Sequence, residues 1–234
     1  KIFSKYIYIV TAPTKITQKF IIDSKIFDEN KVKLLRDPVI ECSEIYNKKK
    51  LQISHNFADE KFYLSIGRLT GQKNFSFLIK VFSENIKEFK INKLLIIGEG
   101  EQEKNLKNLI NKYKMEKNIF LLGFKENVYK YISKCEALIS VAKYEDPGFA
   151  LIEAMYLKKK LISSLVKNGP MEMKNNGDIG YFFNYNNESE FLEAIKNSEK
   201  NYKDKTLDAL KYSKEFTIFS HYNNLEKILN KPIN

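Results

Sequence analysis

The 234-residue chain carries 40 basic and 29 acidic residues, a formal net charge of +11, and 43% of its residues are hydrophobic. That is enough apolar side chain for one large or two small packed domains, and it excludes a disordered chain. No apolar run approaches the ~20 residues that span a bilayer, and Lys1 to Val10 mixes charge with aromatics instead of showing a signal-peptide pattern.

The charge by itself admits nucleic acid, an anionic membrane surface or a phosphorylated ligand. Only Arg36 and Arg68 are arginines, and the lysines are spread out apart from Lys48-Lys49-Lys50 and Lys158-Lys159-Lys160. A general Lys, Ile and Asn bias accounts equally well for such a composition. With no RNA-binding, zinc-finger or leucine-zipper signature, nucleic acid is the weakest of the three. Cys42 and Cys135 are far apart and lack metal-like spacing, which suits a reducing compartment. The first residue is Lys, so a fragment or a processed form is expected.

In chain order, Tyr6 to Val10 reads as a short strand, broken at Thr11-Ala12-Pro13-Thr14, with a helix over residues 15–22. Residues 32–35 read as another short strand. Residues 39–60 show little periodicity and a lysine run, and read as a linker. From Lys61 the pattern sharpens: a strand over 62–66, then Gly67-Arg68-Leu69-Thr70-Gly71-Gln72-Lys73, then a helix with Phe75, Leu78, Ile79, Phe82, Ile86 and Phe89 on one face. A strand at 94–97 ends in Gly98-Glu99-Gly100, and the next helix buries Leu106, Leu109, Ile110 and Tyr113. Strands at 119–122, 137–141, 161–165 and 181–183 follow, separated by helices near 128–132, from Asp146 through Leu157, and from Gly169-Pro170 to about Gly177. A helix over 188–197 comes last in this run.

Strands alternating with helices predict right-handed crossovers and an α/β, Rossmann-like parallel sheet flanked by helices. Ligands of such sheets sit at the carboxyl ends of the strands. Four loops reach that rim: Gly67-Arg68, Gly98-Glu99-Gly100, Gly123-Phe124 and the loop holding Glu145. Arg68 and Lys73 can grip phosphate oxygens. Asp146 reads as an N-cap and Pro147 as the first helical residue, leaving amides at Gly148, Phe149 and Ala150 free to meet an anion. Glu145 and Glu153 can each accept hydrogen bonds from paired sugar hydroxyls. Taken alone, that stretch is equally well read as a capped helix with two solvated glutamates, and the Arg68 loop as an ordinary charged surface turn. His55 and His221 fall outside the rim loops, and no HExxH, Cys/His cluster or Asp-x-Asp pair points to a metal.

Together, Gly67-Arg68-Leu69-x-x-Gln72-Lys73, Ile97-Gly98-Glu99-Gly100, the strand end at Gly123, Glu145-x7-Glu153-Ala154-Met155 and Gly169-Pro170-x-Glu172 resemble the donor-binding half of a retaining GT-B glycosyltransferase of the GT4 class, from about residue 61 to 183. The resemblance implies metal-independent sugar transfer with retention, with a nucleotide sugar as substrate and no cofactor. Arg68 and Lys73 would hold the donor diphosphate, the amides of Gly148, Phe149 and Ala150 the sugar or phosphates, Glu145 the transferred sugar and Glu153 the ribose. Phe124 would line the base pocket, and Gly67, Gly98 and Gly100 would give backbone access. Glu172 is expected to serve the helix start. Ala142 stands where the family commonly has serine, and Lys160 where it has proline.

The implied organisation is a remnant of an N-terminal acceptor domain and linker over 1–56, a donor-binding domain over 57–200 and closing helices over 201–234. The apolar residues Phe216, Ile218, Phe219, Leu225 and Ile228 are expected to lack part of their partner surface. The acceptor would be a glycan or a lipid-linked molecule. The expected location is cytoplasmic, with an anionic membrane face as a further partner. A noncatalytic sugar-nucleotide-binding module, or a subunit awaiting its other half, remains the alternative.

Overall fold

A computed structural model describes residues 6–53, 57, 60–200 and 204–230. His55 lies outside them. Two sheets are present. The smaller pairs β1 (Val10–Ala12) in parallel with β2 (Val32–Leu34), joined by helix α1 (Lys15–Asp23). The first strand thus begins at the last residue of the segment expected from Tyr6 to Val10 and continues through Ala12. It ends against Pro13, whose fixed ring and missing N–H end the pairing. Thr14 then caps α1 by accepting from the Thr17 N–H at 3.1 Å.

The larger sheet holds β3 (Tyr63–Ile66), β4 (Leu94–Ile97), β5 (Ile119–Leu121), β6 (Ala137–Ser140), β7 (Lys160–Leu165) and β8 (Tyr181–Asn184). Its spatial order is β5-β4-β3-β6-β7-β8, all parallel. The chain steps outward from β3 to β5 and then returns to place β6 on the other side of β3. The order reverses between β3 and β6, and the crevice above their carboxyl ends is where this architecture holds ligands.

Both faces of the sheet are buried, as parallel sheets require. Alternate residues divide between two cores: Leu64, Leu95, Ile97 and Leu138 pack on one side, and Tyr63, Leu94, Ile96 and Ile139 on the other. Helices α3 (Phe75–Glu84), α4 (Glu103–Lys112) and α8 (Glu188–Lys200) cover the second face. The first is covered by α2 (Cys42–Lys48), α5 (Tyr129–Ile132), α6 (Phe149–Tyr156), α7 (Gly169–Asn175) and α9 (Thr206–Ser213). The apolar face read through Phe89 is real, but α3 stops at Glu84 and a 3-10 turn over Ile86–Glu88 delivers Phe89 to the core.

Two expectations need correction. The stretch read as a linker contains α2, capped by Glu41, whose carboxylate accepts from the Ser43 and Glu44 N–H groups. Ile40, Ile45 and Ile53 from this stretch enter the main core. A two-turn helix that buries only Ile45 is too short to show a period. Second, α6 does not start at Pro147 with Asp146 as cap. Its N-cap is Gly148, with φ 96°, and Phe149 is its first residue. Asp146 is engaged elsewhere.

A buried polar node ties the small sheet to the large one. Arg36, 3% exposed, pairs with Glu172 of α7 and donates to Glu215 at 3.1 Å and to the Pro13 carbonyl at 3.0 Å. Its guanidinium also lies over the Phe216 ring, 5.1 Å from the centroid. Glu172, expected to serve the start of its own helix, instead joins α7 to Arg36 and to the Lys15 N–H of α1. The chain end returns to the same place. Ile40 pairs with Thr217, and the final helix, α10 (Ile218–Leu229), follows. Of the apolar residues expected to lack a partner, Phe216 is fully buried, Ile218 and Phe219 are exposed, and Leu225 and Ile228 are half-buried. Among the described residues no helix is long and apolar enough to cross a membrane.

Candidate functional site

The loops after β3 and β6 flank the crevice and are fastened to each other. The Lys143 N–H donates to the Gln72 carbonyl at 2.8 Å, and Gln72 Nε2 donates to the Tyr144 carbonyl at 3.0 Å. Lys73 Nζ reaches across to Glu145 Oε1 at 2.6 Å, with the two side chains 20% and 12% exposed. Ser140 Oγ, at the end of β6, lies 3.5 Å from the same oxygen. Lys73 and Glu145, 72 residues apart in sequence, therefore form one ion pair at the point where strand order reverses.

Gly67 lets that lysine pass. A Cβ there would come within 2.9–3.2 Å of the Lys73 Cε, Cδ and Cγ atoms. The next glycines have a different cause. A Cβ on Gly98, at φ 144°, would lie 1.9 Å from the Gly67 carbonyl oxygen, and one on Gly100 would lie 2.5 Å from that of Leu69. Hydrogen bonds from Leu69 N to Glu99 O at 2.8 Å and from Gln102 N to Leu69 O at 2.9 Å join the same loops. The sides of Gly98 and Gly100 that lack a side chain are thus occupied by the neighbouring loop. Packing of backbone on backbone accounts for both glycines.

Arg68 is exposed at the rim, and among the described residues no carboxylate pairs with it. Glu99 turns toward the next loop and accepts from the Phe124 N–H at 3.2 Å, while the Phe124 ring is 67% exposed. Across the crevice, the first N–H groups of α6 have no intrahelical acceptor and carry the positive end of its dipole. Phe149 is exposed and Ala150 half-buried at that terminus.

Glu153 sits one turn further along α6 and is largely buried. Burial pushes its carboxyl up to about 7, with the nearby Glu44 adding to the rise and a hydrogen bond from Tyr129 opposing it. Glu44 comes from α2 and Tyr129 from α5, so the helix missed in the sequence helps to set the charge of a predicted site residue. Asn127 Nδ2 and Ser133 Oγ, donating to the Lys48 and Lys49 carbonyls at 3.0 and 3.2 Å, hold α2 there.

The structure thus gathers Gly67, Arg68, Lys73, Gly98, Gly100, Glu145 and the α6 terminus around one crevice, with Glu153 behind and Phe124 at its edge. Sequence reasoning assigned no role to Gln72, Tyr129, Glu44 or Asn168. Gln72 lies between Gly71 and Lys73 in the loop after β3, and that position is the available signal. The others act from separate segments and carried none. Among the described residues no group of three or more His, Cys, Asp or Glu side chains stands together as a metal site.

A six-stranded parallel sheet with this reversal and a cationic, helix-capped crevice is the nucleotide-binding arrangement of a Rossmann-like GT-B half. Residues 47–215 match the model of the family described as glycosyl transferases group 1, and the chain belongs to that family. An uncharacterized glycosyltransferase of Methanocaldococcus jannaschii is 31% identical over 183 residues, 74% of this chain and 43% of that one. The Campylobacter jejuni N-acetylgalactosamine-N,N'-diacetylbacillosaminyl-diphospho-undecaprenol 4-alpha-N-acetylgalactosaminyltransferase is 31% identical over 137 residues, 58% of this chain and 37% of that one. Among solved structures, Anabaena HepE in complex with UDP superposes with a TM-score of 0.79 at 16% identity, covering 97% of this chain and 65% of HepE. The chain spans less than half the length of these two curated relatives.

Proposed function

We propose that this chain is the donor-binding part of a retaining, metal-independent glycosyltransferase. It would take a sugar from a nucleotide donor, UDP- or GDP-linked, and pass it to a glycan or lipid-linked acceptor. The observation that carries the reading is the Lys73–Glu145 pair, 2.6 Å long, beside the α6 N-terminus, where a Cβ on Gly148 would lie 3.6 Å from that of Glu145. It sets a cation for phosphate beside a carboxylate for sugar hydroxyls, the two chemistries that meet in a sugar diphosphate.

In this reading Arg68 and Lys73 hold the diphosphate, and the amides of Gly148, Phe149 and Ala150 approach it from the opposite side. Glu145 accepts hydrogen bonds from the transferred sugar, and Glu153 from the ribose. Phe124 offers an exposed ring to the base. As the bond between the anomeric carbon and the diphosphate oxygen breaks, positive charge grows on the sugar and negative charge on the leaving group. Arg68, Lys73 and the α6 dipole stabilise the latter in place of a metal. The UDP complex of HepE supports a uridine nucleotide, and the C. jejuni relative's name supports a diphospholipid-linked acceptor. The division of the chain near residues 56 and 200 belongs to the same proposal. So does a cytoplasmic site of action at an anionic membrane face, for which the net charge of +11 is the reason.

The test is calorimetric titration of the 234-residue chain with UDP and GDP in the presence of a chelator. Binding of one of them is expected, and Arg68→Ala should weaken it by about tenfold to a hundredfold, the worth of a charged phosphate hydrogen bond. Equal affinities for wild type and Arg68→Ala would remove the diphosphate assignment.

A further inference from the structure

We infer that Asp146 is a positioning residue for Glu145, and that Thr17 of α1 holds it in place. Recognition of the transferred sugar would then depend on a helix outside the family-matched stretch 47–215. This rests on the sugar-binding role proposed for Glu145.

The loop between β6 and α6 carries Glu145 and Asp146 side by side. Its backbone is held on one side by Gln72. On the other side the Gly169 N–H donates to the Glu145 carbonyl at 3.1 Å. Gly169 packs so closely there that a Cβ would lie 1.9 Å from the Pro147 carbonyl oxygen. The third hold is Asp146 itself. Its Oδ2 accepts from Thr17 Oγ1 at 2.6 Å and from Asn168 Nδ2 at 2.9 Å. Its Oδ1 is buried without a hydrogen-bond partner among the described residues. A carboxylate satisfied through one oxygen only is sensitive to each remaining donor.

An aspartate before Pro-Gly would ordinarily cap the helix that follows. Here Gly148 takes the cap position, with φ 96°, and the Asp146 carboxylate turns sideways to join three segments. Thr17 reaches it from 129 residues away in sequence. No residue of helix α1 is fully buried, so polar contacts add to the packing on β1 and β2 that holds it. One is the Thr17 hydroxyl, and another is the Lys15 N–H, which donates to Glu172 Oε2 at 2.8 Å. Because Asp146 is bonded directly to Glu145 along the chain, loss of the Thr17 donor moves the sugar-binding carboxylate and leaves Arg68, on the other loop, in place.

The experiment compares Thr17→Val, Thr17→Ser and wild type as 234-residue chains. Each is titrated with the nucleoside diphosphate that wild type binds and with the corresponding nucleotide sugars, and each is melted. Thr17→Val is expected to lower affinity for the preferred nucleotide sugar about tenfold, while affinity for the diphosphate alone changes less than about twofold. Thr17→Ser, which keeps the hydroxyl, should restore wild-type discrimination. A Thr17→Val chain with unchanged discrimination, one that loses both ligands in proportion, or a Thr17→Ser chain that behaves like Thr17→Val would each overturn the inference. A wild-type chain that binds no nucleotide would instead overturn the donor-site reading beneath it.

Discussion

Glu153 offers the most direct test at the level of single residues. Its carboxyl titrates near 7 in the folded chain, against an ordinary value of 4.5, chiefly because it is buried. Between those two values the folded state binds more protons than the unfolded state, so this group's contribution to stability falls as pH rises through the interval. The penalty is complete above about pH 7 and absent below about pH 4.5. Glu153→Gln removes it, so the variant should melt higher than wild type at pH 8 and alike at pH 4.5. The separation corresponds to as much as about 3 kcal/mol. Thermal melts at the two pH values check this, and equal differences at both would show that the carboxyl is not held protonated. The same group bears on ligand binding. Ribose hydroxyls donate to a carboxylate, so nucleotide affinity should rise by up to about tenfold between pH 6 and pH 8 as Glu153 ionises. Titrations of Glu153→Gln should lack that component and retain only the titration of the phosphate itself. If wild type and variant share one pH profile, Glu153 does not contact the nucleotide.

The elements show which features of this fold a sequence can reveal. Parallel strands buried on both faces announce themselves as apolar runs: β4, β5, β6 and β8 begin at the residue expected, and β3 and β7 within one residue of it. The rim loops were legible because Gly67, Gly98, Gly100 and Gly123 punctuate strand ends. Their physical causes were not, because those causes lie in another loop: the Gly67 carbonyl over Gly98, the Leu69 carbonyl over Gly100. Helix α2 escaped notice because one buried isoleucine makes no period, and the start of α6 was misjudged because Asp146 bonds to residues 22 and 129 positions away instead of to its own helix. The Lys73–Glu145 pair and the Arg36–Glu172 node are likewise contacts between distant segments. The glycine account makes a paired prediction. Gly98→Ala forces a Cβ into a backbone carbonyl at a φ that side chains rarely adopt, and should cost more than about 2 kcal/mol. Gly71→Ala meets nothing within 4 Å and has no left-handed φ. It should change stability by less than about 1 kcal/mol, and can raise it by restricting the unfolded chain. Urea denaturation of the two variants decides whether loop packing or ligand access fixes these glycines, since equal tolerance would remove the packing argument.

Over the whole molecule, the apolar surface is distributed unevenly. The large sheet is covered on both faces, yet α1 and α10 bury no residue. Phe20 on α1 and Phe219 on α10 are 73% and 74% exposed, and Tyr222 and Leu229 add to the second face. Both helices are held to the body by polar contacts: Lys15 to Glu172, Thr17 to Asp146, and His221 Nδ1 to the Arg36 carbonyl at 2.6 Å. Large exposed rings on these two helices favour association with another apolar surface. The 234-residue chain is therefore expected to self-associate at high protein concentration despite its net charge of +11, which opposes association most strongly at low salt. Sedimentation velocity should show larger species growing with salt as that repulsion is screened. Phe20→Gln together with Phe219→Gln should return the chain to monomer with an unchanged melting temperature, because neither ring is part of a core. The same variant separates association from donor binding. The donor residues sit on the crevice between β3 and β6, whereas these rings lie on α1 and α10, so nucleotide affinity should be retained. Sugar transfer makes a further demand, that an acceptor be held against the donor carbon, and such positioning is worth about 7–11 kcal/mol. None of the residues assigned to the donor meets it. The chain should then bind nucleotide without turning over an added glycan or lipid-linked acceptor. Multiple turnover by the double variant, monomeric and alone, would show that the acceptor site is already contained in these 234 residues.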